Sequence, residues 1–199
     1  MSGTEDHKRA VRHELLHART GLTPDQVSRA ASVLAERALG LTELADARTV
    51  AGYVSMGGEP GTGPLLDALR ARGVRVLLPV LLPDNDLDWG EYAGQAALTP
   101  AKYGLLEPAG PRLGTSAIVA ADAVLLPGVA VDARGVRLGR GGGSYDRVLE
   151  RLTESGVEPA LAVLLYDHEV VAHVPAEAHD RPVHAAVTPS GVHRFAERD

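Results

Sequence analysis

The part of this 199-residue chain best suited to chemistry is a glycine-rich segment at residues 135–147, GVRLGRGGGSYDR. Four of the five positions from 139 to 143 are glycine, and a helical pattern follows directly. Glycine lets backbone N–H groups approach a ligand closely, and a helix N-terminus carries about half a positive charge. Arg137 and Arg140 add guanidinium groups that suit phosphate oxygens. The segment predicts an anion site, and a mobile glycine loop without a ligand is the alternative.

Two standard glycine motifs match this segment poorly. The P-loop requires Gly-Lys-Ser/Thr, and the lysine is absent. In the dinucleotide fingerprint the third glycine position is occupied here by Ser144, although Asp167 lies about 20 residues further on, where a ribose-binding acid belongs. A turn at residues 132–135 also separates the loop from the strand that ends at Leu126. Dinucleotide binding stays open as an alternative.

Acidic residues near this segment could hold a cation or a substrate. Asp146, in the first helical turn after the glycines, could bind Mg²⁺ beside phosphates or lie on the surface near the helix dipole. Glu59 follows the first strand, where ligands of parallel sheets bind, and could accept hydrogen bonds from an amine or a pteridine-like ring. A solvated loop acid is the other interpretation of Glu59. A further acid-containing stretch spans residues 174–180.

Histidines near the C-terminus do not indicate a zinc site. Their spacing follows no helical or strand register that would bring the side chains together, and the residues are His173, His179 and His184.

The first forty residues predict two helices. In the first, which Thr4 could cap, the apolar stripe consists of Val11, Leu15 and Ala18. Three basic residues lie off that stripe: Lys8, Arg9 and Arg12. Removal of Lys8 or Arg12 is therefore expected to cost little stability, as at a surface site. The second helix begins with a capping box, Thr23 to Gln26, with Pro24 at its first position, and Gly40 ends it.

From residue 49 onward, strand-like and helix-like patterns alternate. Short apolar strands without polar alternation indicate a buried, largely parallel sheet with helices on both faces, and the chain is thus of the α/β class. The predicted strands are residues 49–54, 74–79, 123–126 and 160–166, with helices at 64–72 and 144–155. Residues 82–115 are predicted as loops and edge strands. We expect a single domain, 1–199, with a helical part at 1–40 and an α/β core at 49–199.

Composition excludes several functions. The chain has no cysteine, so disulfides, cysteine-ligated metals and thiol nucleophiles are absent. A net charge of −6 argues against nucleic-acid binding. No apolar run approaches the ~18 residues of a membrane span, and the N-terminus lacks an apolar secretion segment. We therefore expect a cytoplasmic protein with small-molecule partners and no membrane association.

These residues together resemble the 5-formyltetrahydrofolate cyclo-ligase (methenyltetrahydrofolate synthetase) family. The matching pieces occur in the family's order over nearly the whole chain: Lys8–Arg12; Ser55, Met56, Glu59 and Thr62; residues 103–108; residues 126–132; residues 137–147; residues 174–180; and residues 187–189. The resemblance implies a three-layer α/β/α fold like that of sugar-phosphate isomerases and CoA transferases. It also implies ATP- and Mg²⁺-dependent closure of 5-formyltetrahydrofolate to 5,10-methenyltetrahydrofolate, with release of ADP and phosphate after phosphorylation of the formyl oxygen.

The resemblance also implies roles for individual residues. ATP would be bound by Lys8, Arg9, Arg12, Arg137, Leu138, Gly139, Arg140, Gly141, Gly142, Gly143, Ser144 and Tyr145. The folate would be bound by Arg12, Glu59, Arg140, Gly141, Gly142, Gly143 and Ser144. Mg²⁺ would be held by Asp146 and Asp180.

The chain departs from the family pattern at four positions without losing a phosphate or metal ligand. The family often has Tyr at Ser144, Phe at Val131, Asp at His184 and, in some members, Trp at Tyr103. Two competing functions remain at this point. One is a non-catalytic nucleotide- or folate-binding regulator, and the other is a dinucleotide-dependent oxidoreductase that uses the glycine loop.

Overall fold

The computed structural model describes residues 3–176 and 180–195. The helices are α1 (Gly3–Arg19), α2 (Pro24–Leu39), α3 (Thr42–Ala45), α4 (Gly63–Ala71) and α5 (Ser144–Glu154). The strands are β1 (Thr49–Ala51), β2 (Arg75–Leu81), β3 (Leu87–Glu91), β4 (Leu98–Pro100), β5 (Leu106–Pro108), β6 (Ala123–Pro127), β7 (Ala130–Asp132), β8 (Arg137–Leu138), β9 (Ala160–Leu164), β10 (Val170–Val171), β11 (Ala185–Thr188) and β12 (Gly191–Arg194). Short 3₁₀ turns occur at Gln95–Ala97, Lys102–Gly104, Thr115–Ala120 and Asp167–Glu169.

A mostly parallel sheet forms the centre of the molecule. Within the described residues it has seven strands in the order β12-β11-β9-β6-β1-β2-β3. The five inner strands run parallel, and the edge strands β3 and β12 run antiparallel to their neighbours. The predicted α/β class with a largely parallel sheet is confirmed. The segment after residue 82 supplies the edge strand β3 and the separate β4–β5 hairpin, as predicted.

Both faces of this sheet are buried under helices. Successive side chains of β1 point in opposite directions. Val50 belongs to the apolar cluster that includes Leu34 of α2 and Leu66 of α4. Ala51 belongs to the cluster on the other face, with Val148 of α5. The result is the expected three-layer α/β/α arrangement.

The capping residues predicted for the second helix are confirmed. The Thr23 hydroxyl accepts a hydrogen bond from the Gln26 backbone N–H at 3.2 Å, and the Gln26 side chain accepts one from the Thr23 N–H at 2.8 Å. Pro24 lies in the first turn, and Gly40 follows the last helical residue. Local sequence therefore sets both ends of α2.

A small second sheet carries the first helix. Its strands are ordered β10-β7-β8, and α1 packs on it through Leu15, which clusters with Val129, Val136, Leu138 and Val174. None of these strands was predicted, because strands of two or three residues are too short to show a period.

The predicted buried face of the first helix is wrong in part. Leu15 is buried as expected, but Ala18 is exposed. Lys8 and Arg19 are buried instead, with 6% and 3% of their surface exposed. The physical reason is that α1 packs beside carboxylates that the chain contributes from residues 169 and 180, so cations rather than small apolar residues fit this face.

No helix in the described ranges has the combination of length and apolar character that crossing a membrane requires. The prediction of a single domain from 1 to 199 stays a prediction.

Candidate functional site

A cavity of about 480 Å³ opens at the carboxyl ends of β1, β2 and β6. From β1 the chain passes through α4 to β2 on one side, whereas β6 pairs with β1 on the other side. This is the topological switch point at which open α/β sheets bind ligands. The volume falls in the range of about 300–1,000 Å³ that small-molecule sites occupy.

The glycine-rich segment forms one wall of this cavity. All residues from Arg137 to Asp146 line it. Gly141 and Gly143 have φ angles of 91° and 75°, which a side chain would strain, so glycine is required for this path into α5. A Cβ atom on Gly141 would also lie 3.4 Å from the Arg12 guanidinium carbon. The N-terminus of α5 and a basic side chain thus face the same space.

Two cations of α1 reach this wall. The Lys8 ammonium lies 3.1 Å from Oδ2 of Asp180. Arg12 donates from Nε to the Gly139 carbonyl at 2.9 Å and pairs with Glu5 at 2.8 Å. All five of these residues line the cavity. Arg9 does not line the cavity, because its side chain is exposed and pairs with Asp6.

The side chain of Arg137 is a nearly buried cation in the wall of the cavity. Its side chain is 7% exposed, donates from Nη1 to the Pro127 carbonyl at 3.0 Å and lies 3.5 Å from Asp146. Its buried Nε finds no hydrogen-bond partner in the described part of the chain. Burial lowers the pKa of the Arg137 guanidinium, which nevertheless stays protonated at neutral pH. A buried cation with one unsatisfied N–H donor favours an anionic ligand that can accept a hydrogen bond.

Glu59 is a buried carboxylate, and this rules out the alternative interpretation of Glu59 as a solvent-exposed loop residue. Only 6% of its surface is exposed. One oxygen accepts from Arg140 Nε and the other from the Met56 backbone N–H, both at 2.9 Å. The loop is closed by Ser55 and Thr62, whose side chains accept hydrogen bonds from each other's backbone N–H at 3.1 and 2.9 Å. The fold therefore holds Glu59 in a fixed position against the cavity.

The other end of the cavity is apolar. It is lined by Tyr53, Pro79, Leu81, Leu87, Leu105 and Leu106. Sequence reasoning missed these residues because apolar side chains carry no chemical signal, although most of them lie at the ends of β1, β2 and β5 or just beside those ends. The cavity is thus cationic at one end and apolar at the other.

Tyr145 also lines the cavity. The Tyr145 hydroxyl is buried and has no hydrogen-bond partner within residues 3–176 and 180–195. Burial raises the pKa of Tyr145, so the hydroxyl remains a proton donor at neutral pH. A ligand that accepts a hydrogen bond would remove this unsatisfied donor.

Two predicted metal ligands face the cavity. Asp146 is half-exposed beside Arg137, and Asp180 is paired with Lys8. Two carboxylates are a donor set that suits Mg²⁺, since this ion binds proteins through one or two carboxylates, retains waters and takes other oxygens from phosphates. In the described segments, no group of three or more His, Cys, Asp or Glu side chains could hold a metal by itself.

The remaining candidate residues lie elsewhere. The His184 ring accepts a hydrogen bond from the Leu161 N–H at 2.8 Å, and His173 contacts Arg134, so neither faces the cavity. His179 lies outside the described residues. Asp167 accepts from the Ser190 N–H at 2.9 Å, a turn contact that leaves the dinucleotide alternative without support. Tyr103 is 78% exposed.

Comparisons with known proteins agree on one family. The model of the 5-formyltetrahydrofolate cyclo-ligase family matches residues 4–189. The chain is 42% identical over 147 residues to the 5-formyltetrahydrofolate cyclo-ligase of Mycolicibacterium smegmatis, covering 71% of this chain and 74% of that protein. It is 35% identical over 176 residues to the Escherichia coli enzyme of the same name, covering 87% and 96%.

A solved structure is similar over almost its whole length. The NMR structure of Aquifex aeolicus 5,10-methenyltetrahydrofolate synthetase matches with a TM-score of 0.80 and 28% identity, covering 96% of this chain and 94% of that one. The similarity thus includes both the central sheet and the elements that surround the cavity.

Proposed function

Because the chain belongs to the 5-formyltetrahydrofolate cyclo-ligase family and is an enzyme of that class, we propose that it closes 5-formyltetrahydrofolate to 5,10-methenyltetrahydrofolate at the expense of ATP. The family is ATP-dependent in general. The observation that carries the proposal is the cavity itself, whose lining combines a cationic glycine loop, a set of apolar side chains and the buried carboxylate of Glu59.

The cationic end would bind the ATP phosphates. Backbone N–H groups of the glycine loop, the N-terminus of α5 and the side chains of Lys8, Arg12, Arg137 and Arg140 all face it. Phosphoryl transfer depends mainly on positioning and charge neutralisation, which fits a site without a nucleophilic side chain. The role of Arg9 in ATP binding would be indirect, because this side chain lies outside the cavity.

Asp146 and Asp180 would hold Mg²⁺, and the metal would neutralise charge on the transferred phosphoryl group. Each carboxylate has a cation beside it, Arg137 and Lys8 respectively. A complex of Mg²⁺ with ATP carries a cation as well as anionic phosphates. The two carboxylates could therefore bind the metal while Arg137 and Lys8 bind the phosphates. The complex should therefore bind more tightly than either component alone.

The apolar end would bind the pteridine ring of the folate. Glu59 offers carboxylate oxygens to ring N–H donors, and the leucines and Tyr53 provide apolar contacts. Arg140 already bonds to Glu59, so it joins the folate end to the glycine loop. Residues 140–144 and Arg12 would then lie beside the formyl group.

The chemistry needs two displacements. The formyl oxygen attacks the γ-phosphorus of ATP, and the bond to the ADP oxygen breaks. N10 of the folate then attacks the activated carbon, the phosphate leaves with the former formyl oxygen, and N10 loses its proton as the ring closes. Arg137 and Arg140 would stabilise the negative charge on the phosphoryl oxygens during both steps.

A direct assay tests this function. Mixing the protein with 5-formyltetrahydrofolate, ATP and Mg²⁺ should produce the absorbance band of the methenyl product together with one equivalent of phosphate. Omitting ATP is the control and should abolish both signals. Tight binding of folate and ATP without any product would instead support a non-catalytic regulator.

A further inference from the structure

Arg19 and Glu169 form an ion pair that is hidden from solvent behind the cavity wall. Their side chains are 3% and 0% exposed. Arg19 donates from Nε to Oε1 at 2.6 Å and from Nη2 to Oε2 at 3.1 Å, a two-point contact that fixes both side chains. Neither residue lines the cavity, so the site described above does not explain the pair.

Arg19 bonds directly to backbone that lines the cavity, and Glu169 is connected to the Glu59 loop through Tyr166. Arg19 Nη2 also donates to the Gly128 carbonyl at 2.7 Å, and Gly128 lines the cavity. Glu169 Oε2 accepts from the Tyr166 N–H at 2.9 Å, and the Tyr166 hydroxyl donates to the Gly58 carbonyl at 3.2 Å. Gly58 directly precedes the buried carboxylate Glu59.

The loop that carries Glu59 also packs on Arg19 itself. A Cβ atom on Gly58 would lie 3.2 Å from the Arg19 Cβ and 3.5 Å from its carbonyl oxygen, so this approach of the two backbones leaves little room for a side chain. Any shift of Arg19 would therefore displace the loop as well as the helix.

On α1, Arg19 shares a face with the cations of the cavity. Residues 8, 12, 15 and 19 follow the helical spacing of four, three and four. At 1.5 Å per residue, Arg19 lies about 16 Å along the helix from Lys8. Fixing the helix at Arg19 therefore fixes the direction in which Lys8 and Arg12 project.

Stability alone does not account for such a pair. Apolar residues of similar volume often replace a buried ion pair without loss of stability, whereas removing one partner is strongly destabilising. We propose that Arg19 and Glu169 are positioning residues, which hold α1 and the Glu59 loop in register so that the ATP-binding cations and the folate-binding carboxylate act on both substrates together. The inference rests on the proposed function.

The test compares single and double apolar variants. Arg19→Met and Glu169→Met should each lower the melting temperature, because each leaves a buried charge unpaired. The double variant Arg19→Met/Glu169→Met should recover part of that loss, because no unpaired charge remains, although the Gly128 carbonyl and the Tyr166 N–H still lose their side-chain partners. It should keep kcat/KM at least tenfold below the original protein, with KM raised for both ATP and folate. Recovery of activity together with stability would overturn the proposal and leave a purely structural pair.

A second measurement does not depend on turnover. The Met56 N–H bonds to Glu59 and should be protected from hydrogen exchange. In the double variant, this amide should exchange at least tenfold faster, and unchanged protection would contradict positioning. If the unmodified protein forms no methenyl product, the proposed function fails, while the exchange result still decides the positioning role.

The matched control is an exposed pair of the same types. Arg75 and Glu91 lie 3.0 Å apart across β2 and β3, with 43% and 58% of their side chains exposed. Arg75→Met/Glu91→Met should leave kcat/KM and Met56 exchange unchanged. A loss in this control equal to that of the buried double variant would show that both effects are nonspecific, which would also overturn the proposal.

Discussion

Lys8 and Arg19 lie on one face of α1, each buried beside a carboxylate, but the surroundings of the two pairs differ. The Lys8–Asp180 pair borders the cavity, and Asp180 keeps 18% of its side chain exposed. The Arg19–Glu169 pair is almost completely buried, and neither residue lines the cavity. A ligand can compete for the first pair and not for the second. One helix can therefore use similar charges for binding at one end and for positioning at the other.

The largest loss of activity should follow substitution of Asp146, which is the more exposed of the two proposed metal ligands. Asp146→Asn should lower turnover by about 10²- to 10³-fold, since Lewis-acid stabilisation contributes several kcal/mol. Asp146 is 59% exposed, so the melting temperature should hardly change. Steady-state kinetics with increasing Mg²⁺ should show partial rescue.

This variant shows whether Asp146 acts in ligand binding, as we propose for Lys8 and Asp180, or in positioning, as we propose for Arg19 and Glu169. Loss of activity at constant stability places Asp146 with the cavity-facing groups. Full activity in Asp146→Asn would remove this residue from the mechanism, and a large loss of stability would place it with the positioning groups instead.

Substitution of Lys8 should affect both the KM for ATP and the stability of the protein. Lys8→Met removes a cation that we propose binds the ATP phosphates, so it should raise KM for ATP by about 10- to 100-fold. It also leaves a partly buried carboxylate with one partner fewer, so stability should fall by about 1–3 kcal/mol. This replaces the expectation of an exposed lysine whose removal costs little.

The metal offers a further measurement on this variant. With Lys8 absent, Asp180 should bind Mg²⁺ more readily, so Mg²⁺ alone should raise the melting temperature of Lys8→Met more than that of the original protein. An equal rise in both would contradict the idea that Lys8 and Mg²⁺ compete for Asp180. Arg75→Met serves as a control for loss of a cation elsewhere.

Local patterns predicted the parts of this molecule that depend on local physics. The apolar runs of β1, β6 and β9 predicted a doubly covered sheet, and the Thr23–Gln26 box predicted the start of α2. The glycine spacing of residues 139–143 predicted an anion-binding loop at the start of a helix, and all five of these residues line the cavity beside Arg12 and Arg137.

Contacts between distant residues were not predictable in this way. The burial of Lys8 and Arg19 depends on Asp180 and Glu169, which lie more than a hundred residues away in the chain. An amphipathic pattern treats a buried arginine as polar and therefore assigns it to the outside. The helical spacing of Lys8, Arg12, Leu15 and Arg19 was a sequence signal that these residues share one face of α1. The spacing does not show that this face is buried, because that depends on the distant carboxylates that pair with it.

Glu59 tests whether a buried carboxylate that faces the cavity serves the substrate or the fold. Glu59→Gln keeps one acceptor for Arg140 and loses the charge, so KM for the folate should rise by about 5- to 10-fold as ring donors lose a partner. KM for ATP should change less than twofold. Equal changes for both substrates would move Glu59 to the group of positioning residues with Arg19.

The smallest effect should come from Arg9, which lies next to Lys8 in sequence but on another side of α1. Its side chain is 62% exposed and pairs only with an exposed aspartate of its own helix among the described residues. Arg9→Ala should therefore change stability by no more than about 0.5 kcal/mol. KM for ATP should stay within about twofold, since a solvated charge outside the cavity contributes little to binding in physiological salt. A tenfold rise in KM would show that α1 turns or bends on binding ATP, so that position along the helix rather than the face seen here decides which cations reach the phosphates.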